Sequence, residues 1–179
     1  MAQIRAMGTK FIYALTLTIS SAVLNLLLYF TGFQTEKLAT GQYLQWLGFI
    51  ITIVVLWLGI KAVREESPGK YMSYGKGVGT GVLISLYAGL MSAGYTFIHF
   101  KFVNTEFVDY NMQLIRAKWE QAGMGADQME KAEGFTRMFM GPVSMAIMTP
   151  IMAVFFGLII SLIVAAILKR PAPPETAAS

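Results

Sequence analysis

The chain has 179 residues, of which 55% are hydrophobic and only 13% charged, with a net charge of +4 and no cysteine. A soluble domain carries about 25% charged residues, so this chain has too few to cover a water-exposed surface. The lack of cysteine excludes a disulfide-stapled exterior domain, a thiolate nucleophile and a cysteine-ligated metal centre. The bases gather at the ends of apolar runs rather than in a patch, which points to membrane flanks and away from nucleic acid.

No charged side chain lies between Lys10 and Glu36, Lys37 and Lys61, Lys76 and Lys101, or Arg137 and Lys169. Each interval exceeds the ~20 residues that a helix needs to cross ~30 Å of hydrocarbon. The pattern predicts an all-α membrane protein with four transmembrane helices, at about residues 11–31, 43–63, 77–100 and 142–168 of a single domain over 1–170. Residues 104–139 are expected to form an extracytoplasmic amphipathic helical hairpin between the third and fourth helices.

The first run, Phe11 to Phe30, is too long for a signal-peptide core and reads as an uncleaved span. Its hydroxyls can bond carbonyls of their own helix. Asn25 does so less comfortably, and is expected to face another helix as a packing contact, with a ligand contact as the alternative. Thr31 to Gln42 reads as a turn, after which Tyr43 and Trp46 stand where an aromatic belt would hold the second span. Ser67-Pro68-Gly69 stops that span.

In the third span Gly77, Gly81, Ser85 and Gly89 recur every four residues and fall on one face. Glycine weakens helices in water, but small-xxx-small rows let two helices approach closely in a bilayer. The row predicts tight packing, within the bundle or between copies. His99 closes the span and reads as an interfacial hydrogen-bonding group, a polar functional site being the sharper reading.

In the long loop Val108, Asn111, Ile115, Trp119 and Ala122 fall near helical spacing, with Phe107 widening the stripe. Phe107, Val108, Ile115 and Trp119 are therefore expected to cover the bundle or lie in the lipid interface, contact with a partner being the sharper reading. Gly123-Met124-Gly125 breaks this helix, and Asp127 and Glu130 start a second one. Gly141-Pro142 opens the fourth span, which contains Pro150, and residues 171–179 read as a disordered cytoplasmic tail.

Arg5, Lys10, Lys61, Arg64, Lys70, Lys76, Lys169 and Arg170 fall on the side that holds both termini, in short segments. By the density of bases near short loops, that side is cytoplasmic.

Gly69-Lys70-Tyr71-Met72-Ser73-Tyr74-Gly75-Lys76, leading into the glycine-rich span, resembles the DUF4199 family. These are small four-helix membrane proteins found mainly in Bacteroidota, with no established function. The likeness continues through Lys101 to Phe107, Gly123-Met124-Gly125 and the last span. Thr105 stands where relatives often have proline. The resemblance implies a bacterial inner-membrane location and brings no catalytic residue.

No His-Glu-x-x-His pair, Gly-x-Ser-x-Gly elbow or carboxylate at membrane depth is present, so no catalytic residue, metal site or cofactor is expected. The reading is a structural or accessory protein whose partners are the bilayer and a membrane protein or further copies of itself. An oligomeric small-solute channel or transporter is the alternative, set back by the absence of a charge inside any span.

Overall fold

The computed structural model describes the backbone of residues 2–172 and side chains from residue 7 onward. Residues 173–179, most of the expected tail, lie outside the described residues. Among the described residues seven α-helices follow one another: α1 Ala2–Phe30, α2 Leu38–Leu44, α3 Trp46–Glu65, α4 Tyr74–Ile98, α5 Phe107–Gln121, α6 Ala126–Met140 and α7 Pro142–Leu168. There is no strand among the described residues. Four stretches are long and apolar enough to cross a membrane, Met7–Phe30, Leu38–Glu65, Tyr74–Val103 and Pro142–Leu168. The second begins earlier than the charge pattern suggests, because α2 is already helical within the expected turn and runs almost directly into α3.

One end of the bundle, here the near end, is tied together by backbone. Met72 N donates to Arg170 O at 2.8 Å, and Arg170 N returns the bond to Met72 O at 2.9 Å. Arg64 Nη1 donates to Leu168 O at 3.3 Å, and Thr9 Oγ1 to Glu66 at 2.7 Å. The start of α1, the α3–α4 loop and the end of α7 therefore share this end. Ser73 caps α4 there, its Oγ accepting from Lys76 N at 3.3 Å and satisfying one of the free donors of the first turn.

α4 packs most extensively against α7, and the row of small residues explains why. As α4 rises through Gly77, Gly81, Ser85 and Gly89, α7 descends through Ala165, Ser161, Gly157 and Ala153. The middle two contacts are reciprocal: the Ser161 side chain fills the space a side chain at Gly81 would need, and Ser85 does the same at Gly157. Pro150 lies against Gly89, so the proline of α7 also meets a position without a side chain. Ile60, Ile84, Ile160, Val164 and Leu168 are buried around this seam and fill the near half of the bundle.

The opposite, far end carries α5 and α6. α5 touches α2, and α6 touches both α5 and α7. Arg116 pairs with Glu133, and Arg137 with Asp109 at 2.7 Å and with Glu133 at 2.8 Å, so four charges bind α5 to α6. The hydrogen bond from Arg137, helped by the one from Arg116, holds the Glu133 carboxyl below the ordinary glutamate range, against an opposing effect of burial.

Candidate functional site

Five polar side chains converge at the far end. α1 ends at Phe30, and Gly32, with φ +80°, turns the chain back in the left-handed region that glycine adopts freely. Gln34 N then donates to Leu28 O at 3.2 Å, which folds Gln34 inward to 3% exposure. Its amide is the hub. Nε2 donates to Asn25 Oδ1, while Oε1 faces His99 Nε2 at 3.0 Å and accepts from Asn104 Nδ2 at 3.3 Å. Oε1 can only accept, so His99 carries its proton on Nε2 in this arrangement. Nδ1 then faces the Tyr95 hydroxyl at 3.3 Å, which also reaches Ala22 O at 3.2 Å.

A local irregularity makes the convergence possible. Residues His99–Val103 form a π-helical turn, closed by Asn104 N donating to His99 O at 2.7 Å. In an α-helix, residues five apart differ by about 140° around the axis. The wider turn brings His99 and Asn104 round to the same Gln34 amide, and such turns recur at functional positions. His99 is 1% exposed, stacked on Tyr95 and met edge-on by Tyr29 and Phe100. It is thus enclosed within the bundle, near the end of its span. Asn104 Oδ1 is buried with no partner.

The residues singled out from the sequence fall in three places. Gly77, Gly81, Ser85 and Gly89 lie in the α4–α7 seam, within one chain. Asn25 bonds Gln34 of the following turn rather than another helix. Phe107 is buried, its ring 4.5 Å from that of Phe100, and Val108, Ile115 and Trp119 are half-buried. The large apolar side chains that α6 exposes are instead Phe135, Met138 and Phe139.

Gln34, Tyr95 and Asn104 carried no signal in the sequence beyond their polarity. Two open clefts adjoin the cluster and share Ser21, Gln45 and Gly48 in their walls. Among the described residues no group of three His, Cys, Asp or Glu side chains could hold a metal ion.

The fold and this site define a class: an all-helical protein with four helices of membrane-spanning length and apolarity, carrying a buried amide–imidazole cluster at one end. The family model DUF4199, described as a protein of unknown function, matches residues 12–170, and the chain belongs to that family. No curated protein and no solved structure matches it.

Proposed function

We propose that the protein is a structural or accessory subunit of a bacterial inner membrane, non-enzymatic, acting through helix packing and through contacts with lipid and a membrane-protein partner. Both termini face the cytoplasm. α5 and α6 form an extracytoplasmic hairpin, with α6 resting on the bilayer.

The observation that carries this reading is the surface of α6. Phe135, Met138 and Phe139 are 67%, 71% and 52% exposed, and α6 buries no residue of its own. Their spacing places them on one side of the helix. Phe135 lies seven residues before Pro142, hence within about 10 Å of the start of the last span. The outer face of α7 continues the apolar surface through Val143 and Ile147. Such a face, beside a spanning helix, suits the headgroup boundary.

Other features agree. The small-residue row is taken up inside the chain, so a partner meets the lateral or α6 surface instead. Asp109 and Glu133 of the loop are bound to arginines, and the only histidine is sealed among amides and rings. The channel alternative gains no path, since large aliphatic side chains fill the near half.

The test is native mass of the tagged protein, taken from its membrane into lipid nanodiscs. A second membrane protein at fixed ratio is expected, and its loss in Phe135→Ser/Phe139→Ser with helical content unchanged. A lone monomer, or a closed homo-oligomer, overturns the proposal.

A further inference from the structure

The bundle is asymmetric: its near half is filled, and its far half leaves clefts that open to the surface. One cleft of about 280 Å³ lies under the polar cluster, with Ser21, Asn25, Gln34 and Gln45 in its wall. The second, about 320 Å³, adjoins it between all four long helices, with Phe49, Met152 and Phe156 among its apolar lining. Ligand pockets span roughly 300–1,000 Å³ with mostly apolar walls and a few placed polar groups.

Two further observations give the space a chemistry. Hydroxyls elsewhere in the spans, such as Thr16, Thr80 and Ser161, bond the carbonyl four residues back. Among the described residues, Ser21 and Gln45 in the shared wall make no such side-chain bond. Ser21 is half-buried and Gln45 exposed, so both keep donors and acceptors free for a guest. Ser85 also lines the second cleft, but its Oγ is turned into the α4–α7 seam at Gly157 and is no part of the polar wall. The second observation is charge: no ionisable side chain lines either cleft. A charged guest would therefore be desolvated without compensation.

We propose that these clefts form a binding site for an uncharged single-chain lipid whose head bears hydroxyl or ester groups, a monoacylglycerol being the simplest example. The head sits at Ser21, Asn25 and Gln45, exchanging hydrogen bonds with amides and a hydroxyl that can both donate and accept. The chain runs down beside Phe49, Met152 and Phe156. Met152 and Phe156 line the second cleft and are also 45% and 39% exposed on the outer surface of α7. The guest enters sideways from the bilayer, past Met152 and Phe156. This site is independent of the accessory role.

The test uses the full chain in phosphatidylcholine nanodiscs containing a monoacylglycerol with a diazirine in its acyl chain, followed by mapping of the photo-adducts. Adducts are expected on Phe49, Met152 and Phe156, displaced by unlabelled monoacylglycerol but not by the ionised fatty acid of the same length. Gln45 is exposed and makes no side-chain bond, so Gln45→Leu leaves the fold intact. It should reduce cleft labelling about fivefold, the equivalent of one hydrogen bond. Adducts spread evenly over the outer face of α7, or cleft labelling unmoved by competitor and by Gln45→Leu, would overturn the proposal. Equal displacement by the fatty acid would overturn its uncharged character.

Discussion

Replacing Gly81 by alanine tests the seam that closes the near half of the bundle. The added Cβ would lie 2.8 Å from Ser161 Cβ and 3.0 Å from Ile60 Cδ1, and closer still to Ser161 Oγ. Ser161 is fully buried and its Oγ is held by Gly157 O at 2.5 Å, so it cannot swing aside freely. Overpacking of this kind costs about 1–3 kcal/mol, opposed by up to ~1 kcal/mol of better helix propensity. The net expectation is a loss of about 1–2 kcal/mol. Gly79, two residues away, has nothing within 4 Å of an added Cβ, so Gly79→Ala should be neutral or slightly stabilising.

Ser161→Gly opens the space that the methyl group of Gly81→Ala needs, so the double variant should recover about 1–2 kcal/mol relative to the sum of the singles. The assay is reversible unfolding in mixed detergent–SDS micelles, with all four proteins compared. Effects that add within about 0.5 kcal/mol would refute the reciprocal fit. So would an equal loss for Gly79→Ala.

Three other outcomes follow from the same geometry. Gly89→Ala should be the worst of the seam changes, because its Cβ would meet Pro150 Cα, main chain that cannot rotate away, at 2.8 Å; the same unfolding assay ranks it. Gln34→Leu removes the partner of Asn25, His99 and Asn104 at once, and buried groups left unpaired cost about 1–3 kcal/mol each, so a loss of at least ~2 kcal/mol is expected. Amide exchange of residues 99–107 should rise in that variant, and unchanged protection would count against a cluster that holds the π-helical turn. Glu133 has a folded pKa below its unfolded one, so its contribution is present above the ordinary glutamate value and is lost as pH falls through the lower folded value. Local opening of α5 from α6, followed by exchange, should therefore increase only in acid, and Glu133→Gln should show the opened behaviour already at neutral pH.

The long helices were legible because charge is excluded from hydrocarbon, and four charge-free intervals mark four spans. The glycine row of α4 was equally plain, since small residues every four positions stand out. Its complement on α7, Ala153, Gly157, Ser161 and Ala165, has the same spacing but lies in an otherwise apolar run, where it is easily read as filler. The polar cluster was half visible. Asn25 and His99 are conspicuous in apolar surroundings, whereas a glutamine in a turn is ordinary. Only the left-handed turn at Gly32 and the π-helical turn after Ile98 bring Gln34 between them.

The stripe through Phe107, Ile115 and Trp119 is a sound helical periodicity that suits a cover over the bundle, the lipid interface or a partner alike. Periodicity identifies an apolar face and says nothing of what covers it. In the fold Phe107 turns inward against Phe100, and the exposed face belongs to α6, where Phe135, Met138 and Phe139 have the same spacing.

The proposed role rests on α5 and α6 lying on the bilayer outside the cytoplasm, and the cysteine-free chain makes this directly measurable. Single cysteines at Gln128 and at Ser73 would be challenged with a membrane-impermeant maleimide in intact spheroplasts, and a bimane at Phe139 would be read in nanodiscs containing brominated lipid. The account predicts labelling of Gln128→Cys in intact cells, labelling of Ser73→Cys only after permeabilisation, and quenching of the bimane by the bromines. The reverse labelling pattern, or a bimane that water-soluble quenchers reach and brominated lipid does not, would contradict it.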